Sequence, residues 1–230
     1  MERVYGVMVT GSDALRKAFA KVATKSFFEQ SYPEKELLVV HSGEKMHFQE
    51  GITEVIVPEG LSLGEMRNHA LEAIPEGAMW TVWDDDDWKH PKLLAEQYSF
   101  IIKEKLDGCI LKGMTYWSAR DRFVVHAAKN QLDFKVSTIM CRNKKDVSYP
   151  PLNCGEDGAF FKAYGEKYRL KMWENEPHYH LKVIHHHNTS GIYTHIQNFI
   201  LQGGWVIDNP ARDYLSDIIP PYDFLEVKTD

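Results

Sequence analysis

Apolar and polar positions follow two periods along the first 107 residues. Val4 to Thr10 is a short β-branched and apolar run, which predicts a buried strand, and Gly11 with Ser12 breaks it. Leu15, Ala18, Phe19, Val22 and Ala23 then recur at helical spacing, and Pro33 closes that segment. Leu37 to Val40 reads as a second buried strand, and Glu54 to Val57 as a third that stops at Pro58. Ser62 and Glu65 form a capping box for a helix carrying Leu63, Met66, Ala70 and Ile74 on one face. Met79 to Trp83 is a fourth strand, running straight into Asp84-Asp85-Asp86-Asp87. A helix from Pro91 to Lys105 follows, with proline in its first turn and Gly108 beyond its end.

The second half is less regular. Cys109 to Thr115, Phe123 to Ala127 and Val136 to Cys141 read as strands, expected to be antiparallel. Gly158 to Tyr164 reads as a short helix, and Tyr168 to Trp173 and His178 to His187 as two more strands. Ile192, Ile196, Phe199 and Ile200 mark an amphipathic helix ended by Gly203-Gly204, before a proline-containing tail from Asp208. The alternation predicts an α/β fold: a mostly parallel central sheet flanked by helices, with a smaller antiparallel part in the second half. Ligands in such sheets bind beyond the carboxyl ends of the strands, where the aspartates lie.

Composition narrows the classes. The 230 residues, 43% hydrophobic and 26% charged, suit one ordinary globular domain. No apolar run reaches the ~20 residues of a membrane span, and Arg3 followed by a strand leaves no leader pattern, so a cytoplasmic protein is expected. A formal charge of −6 disfavours a broad nucleic-acid face. Cys109, Cys141 and Cys154 lack CxxC spacing and are expected to be reduced, buried and small.

Four adjacent aspartates at the end of an apolar strand repel one another unless a cation sits among them. Strand alternation would put Asp84 and Asp86 on one face and Asp85 and Asp87 on the other. A solvated acidic loop, or caps for the next helix, is the alternative.

With these pieces in place the chain resembles the family-2 glycosyltransferases, whose catalytic domain has the GT-A fold. Ser26-Phe27-Phe28-Glu29-Gln30-Ser31-Tyr32-Pro33 is similar to the family's S-v-l-x-Q-t-y-P, and Glu36-Leu37-Leu38-Val39-Val40 to its E-l-i-V-V. Gly64-Glu65-Met66-Arg67-Asn68-His69-Ala70-Leu71 resembles g-x-x-x-R-N-x-g-l, and Val82 to Trp88 with Pro91 resembles f-L-D-x-D-D-x-x-x-P. Gly155-Glu156-Asp157 matches x-E-D, and His185-His186-His187-Asn188-Thr189 a late H-x-x-N-t. The chain departs at His41-Ser42-Gly43, where most members have two aspartates and one contacts the base, so the base stays open.

The resemblance implies an inverting transfer of sugar from a nucleotide diphosphate sugar to an acceptor hydroxyl, on a saccharide or glycoconjugate. It implies one catalytic domain over 1–230: a nucleotide-sugar half over 1–107, an acceptor half over 108–207 and a tail over 208–230. It gives the diphosphate-neutralising metal, Mn²⁺ or Mg²⁺, to Asp86, with Asp84 on the ribose or the metal. Thr10, Gly11, His41, Ser42, Arg67, Asn68, Asp84 and Asp85 form the implied donor-binding set. Arg67 would meet phosphate through its planar fork, or else pack on its helix. Asp157 is the implied base, with Glu156 next in line; both could instead favour a helix start. His185 and His187 share a predicted strand face and are candidate metal ligands, or an ordinary polar strand end. Trp88, Trp117 and Trp173 either stack on sugars or belong to the core. A metal-dependent phosphohydrolase or nuclease, and a non-catalytic sugar-nucleotide or glycan-binding module, are the competing functions.

Overall fold

The computed structural model describes residues 1–46, 50–118, 123–127, 136–174, 177–185 and 188. His187, the expected helix around residues 192–200 and the tail from 208 lie outside them.

The first half follows the apolar pattern closely. Strands β1 (Val4–Val9), β2 (Lys35–Ser42), β3 (Ile52–Val57) and β4 (Met79–Val82) lie parallel in the spatial order β4-β1-β2-β3. Alternate residues serve opposite faces of this sheet. Val4, Met8, Leu37, Val39 and Met79 pack with Ala20, Ala23 and Phe27 of helix α1 (Ala14–Phe28). Val7, Leu38, Val40, Trp80 and Val82 pack on the other face with Ala70 and Leu71 of helix α2 (Leu63–Ala73). Both halves of the Ser62–Glu65 capping box form. Trp83 Nε1 donates to Ala23 O at 2.9 Å, so the end of β4 is pinned to α1.

The chain then leaves the sheet through a two-residue strand, β5 (Trp88–Lys89), which the apolar pattern did not reveal. Helix α3 (Leu93–Glu104) begins two residues after Pro91, whose carbonyl instead accepts from Ser31 N at 2.7 Å. The expected strand from Cys109 divides at Lys112-Gly113 into β6 (Gly108–Leu111) and β7 (Met114–Ser118). β6 extends the large sheet, whereas β7 opens a small sheet with β8 (Phe123–Ala127). The run from Val136 is a 3₁₀ turn to Thr138 and then strand β9 (Met140–Arg142). The turn is fixed by Thr138, whose Oγ1 accepts from Leu111 N and whose carbonyl accepts from Gln97.

Strand β9 is antiparallel to β4 and β6, while β10 (Leu170–Trp173) is parallel to β6. The large sheet is therefore β10-β6-β9-β4-β1-β2-β3, parallel apart from β9. Strand β11 (His180–Ile184) starts after a 3₁₀ turn at Pro177–Tyr179, runs parallel to β7 and pairs antiparallel with β5. The small sheet is β5-β11-β7-β8, so it is mixed rather than wholly antiparallel. Among the described residues no helix is long and apolar enough to cross a membrane.

Helix α4 (Glu156–Lys167) starts two residues before the predicted point, after Gly155 at φ +80°. Its approach is set by the start of α2. Leu63 N donates to Asn153 Oδ1, Gly64 N donates to Leu152 O, and Asn68 holds both backbone groups of Tyr149. A Cβ on Gly64 would lie 2.0 Å from Pro150 O, so this contact admits only glycine. Gly64→Ala is expected to destabilise the fold by about 1–3 kcal/mol, the range for overpacking a tight contact. Urea denaturation checks this, and an unchanged midpoint would show that the 149–153 segment yields freely.

Candidate functional site

Strand β4 ends at Val82, and a turn covers Asp85 and Asp86. The four carboxylates therefore do not alternate. Asp85 and Asp86 share Arg16, whereas Asp84 and Asp87 share Lys182. The expected pairing of Asp84 with Asp86 on one strand face is corrected by this early turn.

Each carboxylate meets a different set of elements. Asp85 accepts from Thr10 Oγ1 at 2.8 Å, just past β1, and from Arg16 Nη1 at 2.8 Å. Asp86 Oδ2 lies 3.2 Å from Arg16 Nη1, 3.2 Å from His185 Nε2 and 3.3 Å from Asn188 Nδ2. Asp84 Oδ1 accepts from Arg67 Nη2 at 3.3 Å. Asp87 is fully buried and meets His180 Nε2 at 3.0 Å and Val183 N at 3.2 Å. The turn thus bridges α1, α2 and β11.

Arg67 is the second hub. Its Nη1 donates to Glu156 at 2.5 Å and to Asp157 at 2.7 Å, across 89 and 90 residues of sequence. Its side chain is 5% exposed and rests over the Tyr149 ring, 5.3 Å from the centroid. Of its carboxylates, Glu156 is 5% exposed, whereas Asp157 at 17% and Asp84 at 20% keep partial access to solvent.

Six carboxylates, Asp84 to Asp87 with Glu156 and Asp157, meet four cations, Arg16, Arg67, Lys89 and Lys182. The cluster retains a formal excess of two negative charges when its histidines are neutral. Burial, with Asp86 adjacent, pushes the Asp85 carboxyl up to about 8 against the pull of Arg16. Burial also raises Asp84, opposed by Lys182 and Arg67. Asp157 is raised to about 6 by burial, with Asp84 and Glu156 adding to it; Arg67 opposes but is shared three ways. At Asp87 burial is again the largest influence, yet Lys182, His180 and Lys89 hold it below the ordinary carboxylate range. Burial in turn lowers Lys89 to about 8; its Nζ donates to Val82 O and lies over the Trp83 ring.

The structure brings together Thr10, Arg67, Asp84, Asp85, Asp86, Glu156, Asp157 and His185. Gly11 packs against the stem of Arg16, where a Cβ would lie 3.2 Å from Cγ. His41 is turned fully inward, with Nε2 3.1 Å from Glu54 Oε2, and Ser42 ends β2 half-buried. The Asn68 side chain is spent on Tyr149. His185 follows the end of β11 rather than lying within it, and stacks on Phe19 at 4.3 Å. Trp88 and Trp117 are core residues, and Trp173 is half-buried, stacked on Phe100. Of the cysteines, Cys109 and Cys141 are buried as expected, whereas Cys154 is exposed.

Sequence reasoning missed Arg16, Lys89, His180 and Lys182. Arg16 falls in the polar stripe of an amphipathic helix, and the other three occupy short strands without alternation. Asn188 was visible as the last polar residue of H-x-x-N, but no role attached to it.

No protein-family model matches the chain, and no curated protein matches it in sequence. Solved structures with a similar fold include that of S. aureus TarS residues 1–349. It superposes with a TM-score of 0.60 at 15% identity, over 80% of this chain and 60% of that one. The complex of TarS 1–349 with UDP gives 0.59 at 17% identity, over 81% and 61%. The complex with UDP-GlcNAc gives 0.59 at 15% identity, over 99% and 68%. The chain thus spans about 60% of the first of these structures. TarS is a GT-A glycosyltransferase, and the GT-A fold is the fold of this chain.

Arg67 therefore lies inside the cluster, where its single charge is shared by three carboxylates. Arg67→Ala is expected to cost about 3–5 kcal/mol, the range for removing one partner of a buried ion pair. The loss should depend on pH. Without the guanidinium, Asp157 and Asp84 bind protons more readily in the folded state than in the unfolded one. Folded protein then gains relative stability as pH falls, so the deficit is largest well above pH 6 and shrinks towards pH 5. Denaturant melts of both proteins at pH 5 and pH 8 test this; an equal deficit at both would mean that Arg67 acts by packing alone.

Proposed function

We propose that the chain is an inverting glycosyltransferase that moves a sugar from a nucleoside diphosphate donor to an acceptor hydroxyl of a saccharide or glycoconjugate. One observation carries this reading. Asp157, partly exposed and raised to about 6 by burial, is held by Arg67 beside Asp84 at the carboxyl end of β4. A base for the acceptor and an acidic turn for the donor then meet beyond the strand ends, where ligands of such sheets bind. The TarS complexes with UDP and UDP-GlcNAc support the donor class and make UDP-sugars the first donors to test. Free, buried Cys109 and Cys141 suit a reducing, cytoplasmic setting.

A divalent ion, Mn²⁺ or Mg²⁺, fits the side chains of Asp86 and His185. Their Oδ2 and Nε2 lie 3.2 Å apart, near the roughly 3 Å between neighbouring ligands on an ion with bonds of about 2.1 Å. Among the described residues no three His, Cys, Asp or Glu side chains form a complete cage. The rest of the shell would be water and donor phosphate oxygens, as is usual for Mg²⁺. Such an ion supplies positive charge to the leaving diphosphate.

The chain's own residues do the rest. Asp157 takes the proton from the acceptor hydroxyl as that oxygen attacks the anomeric carbon. The bond from that carbon to the diphosphate oxygen breaks, and its electron pair leaves with the nucleoside diphosphate. A single displacement inverts the anomeric configuration. Arg67 fixes the position of Asp157 and Glu156 anchors Arg67 from the buried side.

Asp157→Asn should lower the transfer rate at least ~10²-fold, the lower end for a positioned base, while donor affinity stays near parental. Parental transfer by this variant would remove Asp157 from the chemistry, and a product of retained configuration would exclude the single displacement. The parental rate should climb with pH through about 6, as the carboxylate forms, and then level. Glu156→Gln removes a neighbouring negative charge and leaves more of Arg67 to Asp157, so this rise should move to lower pH. A rise that stays in place or moves upward would contradict the assignment.

Asp86→Asn should weaken Mn²⁺ binding by at least the roughly 10–100-fold lost on changing an outer-shell partner. Calorimetric titration with Mn²⁺ reads this directly, and parental affinity would move the ion elsewhere in the turn.

A further inference from the structure

The two arginines of the cluster differ in how they are held. Arg67 is enclosed by Asp84, Glu156 and Asp157 at 5% exposure. Arg16 stands in the first turn of α1, after the Asp13 cap, with its side chain 22% exposed. Its Nη1 reaches Asp85 at 2.8 Å and Asp86 at 3.2 Å. The oxygen it meets on Asp86, Oδ2, is also the one approached by His185 Nε2 and Asn188 Nδ2. Three nitrogens thus crowd one carboxylate oxygen, and that oxygen belongs to the pair of groups that fits a divalent ion.

Two cations cannot use the same face of one oxygen at full strength. An ion bonded to Asp86 Oδ2 needs a lone pair now turned towards hydrogen-bond donors, and repels the guanidinium beside it. Of these groups, Arg16 carries a permanent charge and sits on a long, partly exposed side chain. Its release from two carboxylates is costly unless another anion takes their place. A diphosphate is such an anion: its paired oxygens match the guanidinium fork. The first turn of α1 adds its own preference for negative charge at that end of the helix.

We propose that Arg16 is a diphosphate-binding residue parked on Asp85 and Asp86 in the free protein, and that its transfer to the donor clears Asp86 for the divalent ion. The inference rests on the glycosyltransferase reading for its donor and ion. It adds a residue that the acidic motif does not reveal, and an order to assembly. Ion alone meets an occupied carboxylate, whereas diphosphate draws Arg16 away and opens the turn. Donor and ion then strengthen each other's binding by equal factors, as linkage requires.

The test is Arg16→Gln, titrated in separate experiments with Mn²⁺ alone and with metal-free inorganic pyrophosphate, which carries the diphosphate without committing to a base. The expected changes have opposite signs. Mn²⁺ alone should bind at least about fivefold tighter than to the parent, and pyrophosphate at least about fivefold weaker, within the usual range of coupling between sites. A residue that only supports the fold would weaken both. Arg16→Lys keeps the charge but loses the fork, and should lie between parent and Arg16→Gln in both titrations. Mn²⁺ binding that is unchanged or weaker in Arg16→Gln overturns the parked state. Unchanged pyrophosphate binding overturns the diphosphate role. If the parent itself binds neither Mn²⁺ nor any nucleoside diphosphate sugar, the glycosyltransferase reading fails first and takes this inference with it. Parental binding of both ligands, with no change in either variant, removes Arg16 alone.

Discussion

Four adjacent carboxylates lie at the end of a buried strand, three of them at 7% exposure or less. An unpaired buried charge costs several kcal/mol, and neighbouring like charges add to it. Every element that meets the turn therefore brings a compensating group. Helix α1 supplies Arg16, α2 supplies Arg67, and β11 supplies His180 and Lys182. β5 supplies Lys89, which would be a poor core residue anywhere else. The compensation is incomplete, and it is unequal. Asp87 is held ionised by Lys182 and His180, whereas Asp84 and Asp85 are pushed towards neutrality. The inner end of the turn is a structural anchor, whereas the outer end holds carboxylates that the cations around it compensate only in part.

The parallel half of the fold was legible because its residues face one environment each. Leu38 and Val40 serve one side of the sheet, Leu37 and Val39 the other, and neighbouring helices repeat at their own period. The second half breaks the pattern for a physical reason. β6 and β7 are contiguous but belong to different sheets, so Lys112-Gly113 marks a change of layer inside one apolar run. Pattern reading also placed His185 within a strand. The strand stops at Ile184, and Asn188 Oδ1 accepts from His185 N at 2.7 Å, which turns the chain there.

The acidic half of the candidate site was legible for the opposite reason: four aspartates directly after an apolar strand break the local pattern and call for compensating charge. Their partners were not. A lone Arg in a helix or a lone Lys in a strand carries no local signal, and the carboxylates that give Arg16 and Lys182 their meaning lie 69 to 98 residues away. Lys182 looks like a solvated position on a half-exposed strand; the tertiary fold places it beside Asp87. Arg67 was visible as part of a motif, but its direction was not. The motif reading aimed it at donor phosphate, and the structure aims it at Glu156 and Asp157.

That redirection bears on the proposed chemistry. A carboxylate paired one-to-one with a buried arginine is stabilised as the anion and becomes a weak base. Here the guanidinium divides its charge among three carboxylates, and burial counts against Asp84 and Asp157. Asp157 consequently sits near 6, above an ordinary aspartate, yet is still mostly ionised at neutral pH. A base gains proton affinity as its pKa approaches the working pH, so this balance favours proton removal from a hydroxyl. Glu156 contributes by competing for Arg67, without needing to touch an acceptor. The segment that fixes this geometry is remote from the reacting atoms: Gly64 against Pro150, and Asn68 on Tyr149, set where α4 begins. The basicity of Asp157 is therefore a property of helix packing as much as of the carboxylate itself.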